Sequence, residues 1–423
     1  MRITTARGDV TLHRAWHIRE VHAALEGIVG DWAARGKLPE RRDARIVLKP
    51  NLNNDLVALT GNSTDPRVLA GLVRALQARG YTDLTLADGS NVGVDRRGID
   101  SFKRLRIDAL ARALGVRTMN LNQDAGRVVT LRGGAAPRVA TTILDADCYI
   151  SVPTLKTHVE AGLSCALKNQ VGICVGQDKR EMHRDLPGNI LALGLAVRPH
   201  LVVVDALVAM EGNGPGDGAP ARMDLLLAGD DAFLVDLVAA RVSGLGWERV
   251  PYLRKAVEEG HLAPQVVAQV EAAVAPVRVL DPAPPRGRLA ELADSPRLRA
   301  LKLAARPLTD RPEVAQAAYR LGVLQDVYGT EDDTLRIVAR EDRDCESCRA
   351  CEAVCPTGLP LADIGVRTAL PDCTNCLQCW WVCPREAIRV EGSPNAMARQ
   401  IGRYKAEIEG LAGEVRLTWG GNP

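Results

Sequence analysis

The sequence predicts an α/β protein: a largely parallel sheet domain, a helical linker and a small α+β module rich in cysteine. Three observations carry this reading. Over the first part of the chain, short β-branched runs alternate with amphipathic stretches, as they do when strands and helices are laid down in turn. A proline-punctuated helical pattern follows. Eight of the eleven cysteines then crowd into residues 345–383. A chain of 423 residues accommodates two or three domains. The expected units are an α/β domain over 1–245, a helical linker over 246–338, the cysteine module over 339–392, and a helix and tail over 393–423 packed back on the body.

The elements follow in order. Residues 16–36 read as a helix and 45–49 as a buried strand ended by Pro50. Asp65 reads as a cap, with Pro66 in the first turn of a helix that runs through Arg79 and stops at Gly80. Residues 83–87 form the next strand, closed by Asp88 and Gly89, and 101–114 a further helix. Residues 148–152 and 201–205 are strongly apolar strands; 225–227 is another, followed by a helix over 232–242. Pro282, Pro284 and Pro285 mark the linker, with connecting helices over 289–305 and 312–324. The last helix is expected over 395–411.

Composition narrows the function. The net charge is +2 and aromatic residues make up 3 % of the chain, so nucleic acid is not an expected partner. The first seven residues lack the apolar core of a signal peptide. The longest apolar stretch, about 190–210, is interrupted by Arg198, Pro199, His200 and Asp205, so no membrane span is expected. A cytoplasmic location is the economical expectation, since crowded thiols suit a reducing compartment.

The cysteines form two copies of one pattern. The first is Cys345-x₂-Cys348-x₂-Cys351-x₃-Cys355-Pro356, the second Cys373-x₂-Cys376-x₂-Cys379-x₃-Cys383-Pro384. Bacterial ferredoxins hold two [4Fe–4S] clusters with this run, the fourth cysteine of each copy completing the other cluster. One cluster is therefore assigned to Cys345, Cys348, Cys351 and Cys383, and the other to Cys373, Cys376, Cys379 and Cys355. Zinc also uses C-x₂-C pairs, but has no use for two four-cysteine runs with terminal prolines. A disulfide framework fits poorly with a long chain of this kind. Over about 342–390 the chain resembles a dicluster ferredoxin, departing from a minimal one in Trp380 and Trp381, which read as packing over a cluster.

The remaining signal lies at strand ends, where open α/β sheets bind ligands. Lys49-Pro50-Asn51 ends one strand. Residues 153–158 end another with Lys156 and His158. Lys168-Asn169, then Arg180 and His183, then the glycine-rich loop around Asn213 follow. Lys156, His158, Lys168 and His183 are the candidate catalytic residues; Lys49, Asn51, Asn169, Arg180 and Asn213 the candidate substrate-binding ones. Several cations with few acids suit a small anionic substrate, and histidine delivers protons near neutral pH. Each has a plainer reading. Lys156 and Lys168 could be solvated loop charges, His158 a cap on backbone carbonyls, the glycines an ordinary turn. Asp88 and Asp205 end strands as ligand groups or as caps. Cys148 reads as core, and Cys165 and Cys174 as loop candidates for a thiol role or an extra metal site.

Five of these segments together resemble the DUF362 family, whose members often carry a C-terminal dicluster ferredoxin. They are Lys49-Pro50-Asn51, the Val-Pro-x-x-Lys-x-His run at 152–158, the Leu-Lys-Asn-x-x-Gly run at 167–172, the Met-Glu-Gly-Asn-Gly-Pro loop at 210–215, and Ala-Gly-Asp-Asp-Ala at 228–232. The resemblance covers about 45–244, and Cys165 departs from it. It implies a redox-linked fold and little about substrate. The expected function is a reductase passing electrons from two clusters to a small anion. The alternatives are a non-catalytic electron carrier or adaptor, and a maturation factor for a metal or cofactor. An external electron donor or acceptor (a ferredoxin, flavodoxin or reductase) is the expected partner. No G-x-G-x-x-G turn or P-loop is present. Flavin sites lack a single signature, so a flavin stays open.

Overall fold

The computed structural model describes residues 1–284, 328–329, 331–341, 343–366 and 372–413. Ten strands build the main sheet: β1 (Arg2–Thr5), β2 (Gly8–Arg14), β3 (Ile46–Pro50), β4 (Leu84–Asp88), β5 (Arg117–Asn120), β8 (Cys148–Val152), β9 (Thr154–His158), β10 (Gly162–Ser164), β11 (Leu201–Glu211) and β12 (Ala219–Gly229). β6 (Gly126–Val128) and β7 (Arg138–Ala140) form a separate hairpin. The main order is β1-β2-β12-β11-β8-β3-β4-β5. β11, β8, β3, β4 and β5 run parallel to their neighbours; β12, β2 and β1 add an antiparallel flank. The α/β expectation with a largely parallel sheet therefore holds for the central strands.

Both faces of the sheet are covered, which is why its central strands read as continuous apolar runs. In β3, Val47 joins the core on one face while Ile46 and Leu48 join the other; in β8, Tyr149 opposes Cys148, Ile150 and Val152. Helices Ile18–Ala34 and Pro66–Gln77 cover one face through Val21, Leu25, Val68 and Leu72. Helices Leu186–Ala196, Ala232–Val242, Pro251–Glu258 and Pro264–Ala273 cover the other. Asp65 caps its helix as expected, its carboxylate accepting from the Arg67 amide, with Pro66 in the first turn.

Three expectations need correction, and one pair of strands was not anticipated. The helix over 101–114 is two helices, Ser101–Arg104 and Ile107–Leu114, broken where Arg106 adopts φ 59° and donates to the Leu335 carbonyl. The strand expected to end at Asp205 continues to Glu211, because its second half, Ala206 to Met210, is apolar and pairs with β12. Residues 154–158, expected as a loop, form β9: they continue the line of β8 past Pro153 along β11, and β10 folds back on them. The N-terminal hairpin β1–β2 went unread, its short strands being only partly buried. The helices expected over 289–305 and 312–324 lie outside the described residues, as does Pro285.

The cysteine region is bracketed by an antiparallel pair, β13 (Arg336–Arg340) and β14 (Ile388–Glu391), giving a small α+β unit. It shares a core with the body in which Trp16, Leu59 and Val208 meet Leu335, Trp381 and Tyr404. The last helix, Ala398–Leu411, lies against β12, where Arg222 donates to the Leu411 carbonyl. Among the described residues, no helix is long and apolar enough to cross a membrane.

Candidate functional site

Successive parallel strands β3, β4 and β5 step one way along the sheet, whereas β8 and β11 step the other. The order reverses between β3 and β8, and a crevice opens beyond the carboxyl ends of strands at such a point. A cleft of about 250 Å³ lies here. Lys49 and Asn51 reach it from the end of β3, Asp88 and Gly89 from β4, and Lys156 and His158 from β9. Lys168, Asn169 and Gly172 come from the segment after β10, and Lys179 and His183 from the short helix that follows.

The lysines form a row. Lys49 Nζ lies 2.6 Å from Asp88 Oδ1, both side chains almost wholly buried, and donates to Asn169 Oδ1 at 2.9 Å. Asn51 Nδ2 donates to the same Asn169 oxygen, and Lys156 Nζ donates to Asn51 Oδ1 at 3.1 Å and to the Asn62 carbonyl at 2.6 Å. At the other end Lys179 donates to Asn122 Oδ1 and, at 2.7 Å, to the Cys174 carbonyl. Lys168 has no hydrogen bond or ion pair among the described residues. Removing ammonium groups from water favours their neutral form. Burial, with Lys168 and Lys49 as like-charged neighbours, brings Lys156 down to about 7. Burial brings Lys168 and Lys179 each to about 8 and lowers Lys49. Two glycines make room for the row. A Cβ on Gly172 would sit 2.6 Å from Asp88 Oδ1 and 2.8 Å from Lys49 Nζ; one on Gly89 would sit 2.8 Å from Lys179 Nζ. Only glycine lets the backbone come this close.

Of the nine candidate residues, seven line this cleft: Lys49, Asn51, Lys156, His158, Lys168, Asn169 and His183. Lys156 is 1 % exposed and not a solvated loop charge. Arg180 and Asn213 do not line it; Asn213 is exposed at the turn, and Pro215 and Gly216 reach the cleft instead. Asn169 is a brace, since its amide nitrogen also donates to Ser151 Oγ and the Lys49 carbonyl. His158 Nδ1 accepts from the amides of Glu160 and Ala161, so its ring does bond the local backbone. His183 pairs with Glu160 at 3.2 Å near the surface. Lys179 was missed, because nothing in Asp-Lys-Arg says which cation turns inward. Asp88 is an ion-pair partner and no cap; its second oxygen accepts from the Leu52 amide.

The other thiols have local roles. Cys148 is core. Cys165 is buried beside Asp236, whose carboxylate accepts from the Ala166 and Leu167 amides and the Tyr252 hydroxyl. Cys174 is buried near Lys179. Among the described residues, no group of three or more His, Cys, Asp or Glu side chains could hold a single metal ion.

In the C-terminal module, Cys355, Cys373, Cys376 and Cys379 line one cavity. Cys351 has Cys383 and Cys345 as electrostatic neighbours, and Cys348 closes the same short helix as Cys345. Left-handed residues flank the cysteines: Asp344, Arg349, Asn375 and Leu377 all have φ between 49° and 63°. These turns bend the chain around an enclosed centre, and the Ala387 amide donates to Cys383 Sγ at 3.2 Å. No two of the eleven cysteines are joined in a disulfide. A cubane spreads its four sulfurs around a body of several atoms, unlike a single ion, so this all-thiol donor set in C-x₂-C spacing is compatible with two clusters.

The two regions meet along residues 51–65. At one end Asn51 and Asn62 hold Lys156. In the middle Val57, Leu59 and Thr64 line a cavity shared with Cys376, Leu377 and Gln378. At the other end Asp65 pairs with the wholly buried Arg67 at 2.8 Å and accepts from Gln378 Nε2 at 3.4 Å. Arg67 also donates to the Ala353 carbonyl, between Cys351 and Cys355, and its guanidinium lies 4.7 Å from the Trp16 ring centre. Asp205, in mid-strand, accepts from the Asp65 amide at 2.7 Å; burial and the Asp65 charge push its carboxyl up to about 7.

Residues 46–241 match the model of the family described as a domain of unknown function, DUF362. The chain is 28 % identical over 221 residues to the thylakoid-associated protein sll1697 of Synechocystis sp. (strain ATCC 27184 / PCC 6803 / Kazusa). That match covers 49 % of this chain and 65 % of the relative, just under two thirds of its length. A solved structure, the lactate racemase apoprotein from Thermoanaerobacterium thermosaccharolyticum, aligns with a TM-score of 0.34 at 11 % identity, over 54 % of this chain and 56 % of that one.

Proposed function

We propose that this protein is an iron–sulfur reductase that passes electrons from two [4Fe–4S] clusters to a small anionic substrate in the lysine cleft. The observation that carries the reading is the shared segment 51–65, which hydrogen-bonds Lys156 through Asn62 and, through Thr64, lines a cavity that Cys376 of the second cysteine run also lines. Residues 62–64 span no more than about 7 Å of chain. The cysteines would hold the clusters in the crossed, ferredoxin-like arrangement, Cys345, Cys348, Cys351 and Cys383 around one and Cys373, Cys376, Cys379 and Cys355 around the other. When bound, the clusters supply one-electron transfer at potentials set by their surroundings.

The chain's own residues do the rest. Lys156, Lys168 and Lys179 bind and orient the anion, while Asp88 keeps Lys49 in place. An amine poised near 7 exchanges its proton readily at neutral pH. Neutral His158 carries its proton on Nε2, because Nδ1 is occupied as an acceptor. Electrons would come from a ferredoxin, flavodoxin or reductase in the cytoplasm.

The test is anaerobic. Clusters reduced with dithionite are mixed with a panel of small carboxylates and phosphates, and reoxidation is followed by absorbance. One class should reoxidise the wild type, and Lys156→Ala and His158→Ala should keep their iron yet reoxidise at least 100-fold more slowly. Unchanged rates in both variants would overturn the reading. Reoxidation by a protein partner alone would replace it with the electron-carrier reading.

A further inference from the structure

The row of lysines is not uniform. Lys49 is neutralised by Asp88 in contact. Lys156 and Lys179 donate only to uncharged oxygens, and Lys168 has no partner among the described residues. These three ammonium groups sit at two poles. Lys156 has Lys168 as its like-charged neighbour and is joined through Asn51 and Asn169 to Lys49, itself paired with Asp88, whereas Lys179 is held beyond them on Asn122 and the Cys174 carbonyl. Between the poles run Asp88, Lys49, Asn169 and Asn51. The acids that act on the row are few: Asp88 within it, Glu160 near Lys168 and already shared with His183, and Asp95 near Lys179. A single anionic group could compensate one pole and would leave the other uncompensated in a low-dielectric cleft.

We propose that the cleft selects small molecules carrying two anionic groups, carboxylate or phosphate, one seated at Lys156 and Lys168 and the other at Lys179. The asparagines between the poles offer both donors and acceptors, which suits a short polar connection between the two groups. This rests on the reading of the cleft as an anion site and adds the number and placement of charges. Because Lys156, Lys168 and Lys179 sit partly neutral at pH 8, seating the ligand draws protons from solvent.

The test uses the oxidised, cluster-loaded full chain without any electron donor, so its result is independent of reduction. Titration calorimetry at pH 8, in two buffers of different ionisation enthalpy, compares acetate with malonate and succinate, and inorganic phosphate with pyrophosphate. At least one two-group ligand should bind 10-fold or more tightly than its one-group counterpart and take up protons; which pair does so tells carboxylate from phosphate. Lys168→Met takes away no partner's hydrogen bond. It should keep the wild-type melting temperature within a few degrees and shrink the preference to within about 3-fold, a difference of about 0.7 kcal/mol. Equal affinity for one-group and two-group ligands, absence of binding by all five, or a preference that survives in Lys168→Met would overturn the proposal. Selectivity without reoxidation by any bound anion would instead leave this site standing and remove the reductase reading.

Discussion

The cysteine module and the lysine cleft solve the same problem, holding like-charged groups close together, in opposite ways. In the module, eight thiols come from two short runs of chain, and left-handed residues at 344, 349, 375 and 377 aim them locally. In the cleft, Lys49, Lys156, Lys168 and Lys179 come from four separate segments, held by a sheet and by asparagines. The module gathers groups that a bound cluster would neutralise, since a coordinated thiol is deprotonated outright and shares its charge with the metal. The cleft gathers cations of which, among the described residues, Lys49 alone has a carboxylate in contact, that of Asp88. On the proposed reading, an inorganic cluster would complete the first arrangement and an anionic ligand the second.

The largest expected effect breaks the module. Cys383→Ala and Cys345→Ala should each remove about half of the iron and leave the same residual electron paramagnetic resonance spectrum, while Cys355→Ala and Cys376→Ala share a different one. Spectra that group by sequence run, Cys345 with Cys355, would refute the crossed assignment.

The next breaks the cleft. Lys49→Met leaves Asp88 charged and buried without its partner, and should lower stability by about 3–5 kcal/mol in chemical denaturation. Lys49→Met combined with Asp88→Asn should recover much of that loss. An equally unstable double variant would mean that Lys49 acts through packing alone.

A pH series sharpens the contrast. Lys156 is brought down to about 7 from an ordinary 10.5, so between those values the folded chain binds fewer protons than the unfolded one. Stability therefore rises with pH across that window through this group, and the destabilisation is fully present below pH 7. Asp205, raised from 3.8 to about 7, acts in the opposite sense: stability falls as pH rises, and its change is complete by about pH 7. Lys156→Met should therefore flatten the rise measured between pH 7 and 10, with Lys168 and Lys179 supplying what slope remains. A slope equal to wild type would show that Lys156 is not an ammonium held out of water.

The smallest effect is at the rim. The His183–Glu160 pair is partly exposed, and His183→Ala should change stability by less than about 1 kcal/mol, an effect that salt further reduces. A larger loss would place His183 in the packed part of the cleft rather than at its edge.

Much of both regions was legible from residues alone, for different reasons. The cysteine spacing is a local code, so the eight thiols were named without knowing the fold. Seven of the nine cleft candidates were found because strand ends in parallel sheets are where polar residues converge. Arg180 and Asn213 were misplaced and Lys179 was overlooked. The inward face of the one-turn helix Lys179–Met182 depends on what packs beneath it, and a four-residue helix shows no periodicity. The break at Arg106 and the extension of β11 to Glu211 were likewise set by neighbours, Leu335 and β12.

By itself the sequence determined the α/β alternation, the cap at Asp65 and the thiol pattern, because each depends on residues within one turn or one strand of each other. Only the tertiary structure decided that Lys49 is neutralised by Asp88, that Lys156 and Lys179 lie at opposite poles of one cleft, and that residues 51–65 join this cleft to the cysteines. Those facts depend on strand order and on the withdrawal of charges from water, which are properties of the packed chain and of no single segment in it.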